Sequence, residues 1–175
     1  MNPEPRDGPL PPDAPDLAVV AERLGARCTA LGLRVVSVES CTGGLVGHLI
    51  TEVPGSSAYY VGGLITYSDD LKRELVGVPH EVIEAHGAVS AQVAMAMATG
   101  GRERTRADLV VSVTGIAGPD GGTDSKPVGL TYIAVADAAG VAVRRHAWTG
   151  DRAANKRSSA AAALDLLLER VEAAG

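Results

Sequence analysis

Two short runs, Val35-Val36-Ser37-Val38 and Leu109-Val110-Val111-Ser112-Val113, most constrain how this chain folds. Each is dominated by β-branched residues and lacks the apolar–polar alternation of a strand with one wet face. Strands of that kind are buried on both sides, so helices must cover them above and below. Helical spacing supplies those covers. Leu17, Val20, Leu24, Cys28 and Leu31 mark one stripe, Val93, Ala94, Met97 and Ala98 a second, and Leu164, Leu167, Leu168 and Val171 a third. Segments 130–136 and 141–147 read as strands paired across 137–140. Alternating strands and helices with one late hairpin predict an α/β protein, a single three-layer α/β/α domain with a mixed, mostly parallel sheet.

The chain has 175 residues, enough for one domain with a sizeable core. Residues 1–14 hold five prolines and read as a disordered Pro-rich tail, leaving 15–175 as the folded domain. Between the two buried runs, Leu64-Ile65-Thr66-Tyr67 reads as a short buried strand. Ser68, Ser90 and Asp151 each precede a helical pattern and suit the N-cap position.

Composition excludes several classes of function. The net charge is −5, there is no basic stripe, and with no Phe and one Trp there is no stacking platform, so a nucleic-acid partner is not expected. Two cysteines, Cys28 and Cys41, make neither a disulfide framework nor a metal cluster. The four histidines lack metal-ligand spacing, so no metal cluster is expected. No apolar stretch approaches the roughly 18 residues a membrane helix needs, and no signal peptide is visible, so the expected compartment is the cytoplasm.

Chemistry concentrates in three loops that follow strands, the place where α/β sheets bind ligands. The first is Glu39-Ser40-Cys41-Thr42-Gly43-Gly44, a strand end that turns through a hydroxyl and two glycines into a helix. Such a turn sets a serine beside unpaired backbone N–H groups at a positive helix end. That suits a nucleophile with an oxyanion hole, a phosphate cradle, or a plain polar turn. The second loop carries Tyr67 and Lys72. The chain has 13 arginines and three lysines, Lys72, Lys126 and Lys156, all close to these loops. A buried lysine can give up its proton and an arginine cannot, so a Ser40–Lys72 pair, with the Tyr67 hydroxyl as relay or orienter, makes a base without histidine. His48 and His86 are the other candidate bases. The amides of Cys41, Thr42, Gly43 and Gly44 would then take the oxyanion. The third loop runs from Gly115 through Gly118 to Lys126 and is Gly-rich enough to lay its backbone against a ligand. Arg152 opens the last helix; with Lys156 and Arg157 it forms either an anion site or ordinary exposed charge.

Taken in order, Glu39–Gly44, Thr66-Tyr-Ser-Asp-Asp-Leu-Lys72, His86-Gly-Ala-Val-Ser90, Thr114-Gly-Ile-Ala-Gly-Pro-Asp-Gly-Gly122, Lys126-Pro-Val-Gly129 and Gly150-Asp-Arg152 resemble the CinA C-terminal domain family of nicotinamide-nucleotide amidohydrolases. The resemblance spans about residues 16–172. It implies hydrolysis of the carboxamide of nicotinamide mononucleotide, in pyridine-nucleotide salvage, with no cofactor. Ser40 would be the nucleophile, Lys72 the base, Tyr67 an assisting hydroxyl and Arg152 a substrate contact. The expected partner is a small pyridine nucleotide, with neither nucleic acid nor membrane, and the family implies a homodimer. A hydrolase of another amide and a non-catalytic binding module are the competing readings. Many members carry a further N-terminal nucleotide-processing domain, and this chain reads as the stand-alone form. The segment 153–157 departs from the family pattern by being polar at Asn155, which puts substrate contacts there in question.

Overall fold

Val35, Val36 and Val38 are all buried, as a run without alternation requires, so β2 (Val35–Glu39) is shielded on both faces. The computed structural model describes residues 6–7 and 17–175. In it, β2 pairs in parallel with β3 (Tyr60–Ile65) on one side and β4 (Leu109–Gly115) on the other. β5 (Leu130–Asp137) joins β4 antiparallel and turns directly into β6 (Gly140–Ala147). A two-residue strand, β1 (Arg6–Asp7), lies parallel to β6, giving the order β1-β6-β5-β4-β2-β3. The remainder of the predicted tail lies outside the described residues.

Helices α1 (Leu17–Leu31), α2 (Leu45–Thr51) and α6 (Arg152–Ala174) cover one face of the sheet. Helices α3 (Asp69–Val76), α4 (His80–His86) and α5 (Ala91–Thr105) cover the other. The strands feed the two cores by strict alternation. Val35, Val111 and Val113 pack with Leu24, Cys28, Leu164 and Leu167, while Val36, Val38 and Val110 pack with Val76, Val93 and Met97. The result is the predicted three-layer architecture with a mixed sheet. The predicted N-caps form: the side chains of Ser68, Ser90 and Asp151 accept from the N–H groups of Leu71, Val93 and Ala154. Among the described residues, no helix is long and apolar enough to cross a membrane.

One strand differs from expectation. β3 begins at Tyr60 rather than Leu64, ends at Ile65, and is an edge strand with Val61 and Ile65 exposed. Gly62 and Gly63 at its centre hide its alternation from an apolar count. Gly63 has a packing reason, because a Cβ there would stand 2.8 Å from both Ser37 Oγ and the Tyr60 hydroxyl. Thr66 and Tyr67, expected within the strand, lie just beyond it.

Because β2, β3 and β4 are parallel, the loops that follow them leave from one edge of the sheet. That edge collects the Ser40 turn, the Tyr67–Lys72 segment and the glycine-rich loop. The height of α3 above the sheet is set where it meets α5. A Cβ on Gly100 would lie 1.7 Å from the Val76 carbonyl oxygen. A mid-helix Gly→Ala change ordinarily gains about 1 kcal/mol in propensity. Here the collision is with backbone, and overpacking costs about 1–3 kcal/mol. Gly100→Ala is therefore expected to lower the urea unfolding midpoint; a higher midpoint would show that α3 and α5 separate freely.

Candidate active site

β2 ends in a carboxylate with 1% of its surface exposed, Glu39, and that side chain organises the turn after it. Its Oε2 accepts from the N–H groups of Gly44 at 2.9 Å and Val46 at 3.1 Å. Its Oε1 accepts from Gly47 N–H at 2.9 Å and from Ser37 Oγ at 3.0 Å. Ser37 spends its proton on Glu39, so the Tyr60 hydroxyl, 2.7 Å away, donates to Ser37. Four donors on an acceptor-only group satisfy the amides that a helix start leaves open. Glu39 thus caps α2 from beneath the sheet edge. Gly47 makes room for this arrangement, since a Cβ there would meet the Tyr60 hydroxyl at 2.5 Å. Gly43 and Gly44, at φ 62 and 99, take the left-handed backbone the turn requires.

This capping narrows the expected oxyanion site. Gly44 N–H is given to Glu39, and Gly43 N–H to the Ser40 carbonyl at 3.0 Å. Among the described residues, no oxygen of another residue accepts the N–H groups of Cys41 and Thr42; Thr42 is fully buried, while Cys41 lines the cavity.

Ser40 is anchored by its own N–H, which donates to the Val113 carbonyl at 3.0 Å. Its side chain is met by Lys72, whose Nζ lies 3.4 Å from Ser40 Oγ. Lys72 sits in α3 and is 1% exposed. The amine also lies 3.2 Å from the Tyr67 carbonyl and 3.5 Å from Asp69 Oδ1. Burial pushes the Lys72 amine below its ordinary value, and the Asp69 carboxylate acts in the opposite direction. Burial also raises the Cys41 thiol to about 12, which disfavours a thiolate beside Ser40.

The Tyr67 hydroxyl, expected as a relay or orienter, meets Arg152 rather than Lys72. Tyr67 is 59% exposed and its hydroxyl lies 3.5 Å from Arg152 Nη2; the backbone carbonyl is what touches Lys72. Arg152 Nη1 donates to the Gly118 carbonyl at 2.8 Å, so one guanidinium links Tyr67 to the glycine-rich loop. Ser40, Cys41, Tyr67, Lys72, Gly115, Gly118, Asp120 and Arg152 line a common cavity of about 270 Å³. Larger hollows of about 450 and 530 Å³ along α5 contain neither a serine nor a lysine. The competing bases are elsewhere: His48 is exposed and faces Glu52, and His86 offers its carbonyl to Lys126.

The glycine-rich loop is held from two sides. Lys126 ties it to the end of α4, and Asn155 ties it to the start of α6. Asn155 is buried, donates to the Ala117 carbonyl at 3.1 Å and accepts from Gly150 N–H at 3.0 Å. The polarity at this position is thus a loop bracket rather than a defect in the site. Lys156, one residue on, turns its Nζ toward the nucleophile turn, 3.8 Å from where a Gly43 Cβ would be. Sequence reasoning assigned no role to Glu39 or Asp69. The available signal for Glu39 was an acid closing an otherwise apolar strand directly before a helix start.

Fold and site together define an α/β/α protein with a serine–lysine pair in a cavity at the carboxyl edge of its parallel strands. The chain belongs to the CinA C-terminal domain family, which it matches over residues 17–171. It is 44% identical over 156 residues to the nicotinamide-nucleotide amidohydrolase PncC of Escherichia coli K12, covering 89% of this chain and 94% of that protein. It is 51% identical over 140 residues to a CinA-like protein of Geobacter sulfurreducens, of which the matched region spans only 34%. The crystal structure of the competence/damage inducible protein CihA from Agrobacterium tumefaciens superposes with a TM-score of 0.87 at 41% identity, over 89% of this chain and 95% of that one.

Glu39→Gln tests the capping. It sets an NH₂ group against N–H donors, and lost hydrogen bonds to a charged group cost about 1.5–3 kcal/mol. Chemical denaturation should register a loss of that size; a variant as stable as the parent would mean that the α2 amides find other acceptors.

Proposed function

We propose that the protein hydrolyses the carboxamide of nicotinamide mononucleotide, releasing ammonia and nicotinate mononucleotide. The observation that carries this reading is the fully buried Lys72 amine 3.4 Å from Ser40 Oγ, in a chain 44% identical to an amidohydrolase of that name along nearly its whole length. A serine hydroxyl is a weak nucleophile until a base takes its proton, and a lysine serves as that base only when neutral. Burial favours the neutral amine.

In the proposed sequence, Lys72 Nζ accepts the Ser40 proton as Oγ bonds to the carboxamide carbon. The C=O electron pair moves onto oxygen, where the Cys41 amide, at the cavity wall, receives the charge. Each such donor contributes roughly 2.7–4 kcal/mol in comparable sites. The C–N bond then breaks, the Lys72 ammonium returns its proton to the leaving nitrogen, and ammonia departs from a Ser40 ester. Water, deprotonated by the same amine, cleaves that ester and restores the serine. Arg152 and the backbone from Gly115 to Gly118 face the cavity and are assigned to the anionic remainder of the nucleotide. This assignment gives Tyr67 a positioning task, holding the guanidinium from the other side.

Ser40→Ala should lower ammonia release from nicotinamide mononucleotide by at least about a thousandfold with an unchanged circular dichroism spectrum. Activity surviving in that variant would remove serine from the reaction. In the parent enzyme kcat/KM should rise with pH as Lys72 loses its proton. Burial lowers the pH at which that happens, so the rise should be complete below the range in which an exposed lysine titrates. A rise that coincides with free lysine would contradict a buried base.

A further inference from the structure

Three groups surround the Lys72 amine: the Ser40 hydroxyl at 3.4 Å, the Tyr67 carbonyl at 3.2 Å and Asp69 Oδ1 at 3.5 Å. They differ in what they can do. A carbonyl and a carboxylate only accept hydrogen bonds, whereas a hydroxyl both donates and accepts. A neutral amine has two hydrogens and one lone pair. If the two acceptors take the hydrogens, the lone pair faces Ser40 Oγ, the direction from which a proton must come. An ammonium in the same place would give its third hydrogen to Ser40 Oγ and block the transfer.

We propose that Asp69 is a positioning residue: with the Tyr67 carbonyl it aims the Lys72 lone pair at Ser40, and its charge sets the lower pH limit of the reaction. The inference rests on the amidohydrolase reading and extends it to a residue outside the nucleophile–base pair. Asp69 has two opposed effects. As an acceptor it orients the base, and as an anion it favours the protonated amine that cannot act. The side chain is about half exposed and belongs to the first turn of α3, so it can be replaced without opening the core. The other groups facing the amine are the Cys41 thiol and Tyr67 from the two adjoining loops. Asp120 and Arg152 line the same cavity, and Glu39 lies beneath the Ser40 turn, engaged with the α2 amides. Asp69 is the carboxylate that contacts Lys72 directly.

Two substitutions separate the effects. Asp69→Asn keeps an acceptor oxygen and removes the charge; Asp69→Ala removes both. On the acid limb of the kcat/KM profile, Asp69→Asn should be about threefold faster or more, with the alkaline plateau within about twofold of the parent. Asp69→Ala should move the acid-limb midpoint down by the same amount but lose about tenfold in the plateau, because the base is no longer held in line. In parallel, the amine is titrated by NMR on protein carrying ¹³Cε-lysine. With three lysines in the chain, Lys126→Arg and Lys156→Arg assign the signals. The Lys72 midpoint should fall in Asp69→Asn, and the acid limb should move with it. A Lys72 midpoint that stays in place overturns the inference whatever the activity does. A midpoint that falls while the acid limb stays shows that Asp69 does not set the limit and that Lys72 is not the base. An Asp69→Ala plateau equal to that of Asp69→Asn overturns the orienting role. Absence of ammonia release even from the parent protein would sink the amidohydrolase reading itself, while the NMR titration still decides whether Asp69 governs Lys72.

Discussion

The structure depends on how an amine is kept dry. Lys72 is 1% exposed, and burial pushes its amine below the ordinary value while the Asp69 carboxylate acts against that shift. Several features of the fold are needed to put it there. The parallel pairing of β2 with β3 brings the Ser40 turn and the Tyr67 segment side by side. The Ser68 cap starts α3 where Lys72 falls one turn in. The close approach of α5 to α3 at Gly100 fixes how deeply that helix lies. Each is a local consequence of residue type, and together they converge on one nitrogen.

A second buried side chain organises the turn beside it. Glu39 gathers three backbone N–H donors from the start of α2 and the Ser37 hydroxyl. Its effect on the site is subtractive. By taking the Gly44 amide it removes that donor from the Ser40 turn, of which Ser40 and Cys41 line the cavity. The other wall of the cavity is fixed by Asn155 and Arg152, which hold the carbonyls of Ala117 and Gly118. The glycine-rich loop is therefore a positioned surface despite its composition.

Much of this was legible in the sequence where a local rule decides the outcome. Valine-dominated runs without alternation indicate strands covered on both faces, and caps at Ser68, Ser90 and Asp151 mark helix starts that the structure reproduces. The scarcity of lysine marks three residues near the candidate loops, and the spacing from Tyr67 picks out Lys72 among them. What was not legible depended on three-dimensional neighbours. The glycines of β3 obscured an edge strand whose small residues exist to accommodate Ser37 and Tyr60. The role of Glu39 needs a strand side chain to reach the helix that follows it. Tyr67 was read by its hydroxyl, yet its carbonyl is the group beside Lys72, and no residue-type argument distinguishes the two. Asn155 looked like a departure from pattern until the loop it brackets was in place.

The central claim is that Ser40 becomes acylated, and interception of that ester tests it most directly. The enzyme would be supplied with nicotinamide mononucleotide and increasing hydroxylamine, and carboxylate and hydroxamate products counted separately. An acyl-enzyme shared by both nucleophiles predicts hydroxamate in proportion to hydroxylamine at the expense of carboxylate, and none of either product with Ser40→Ala. Carboxylate as the sole product at every hydroxylamine concentration would require direct attack by water and would contradict the account.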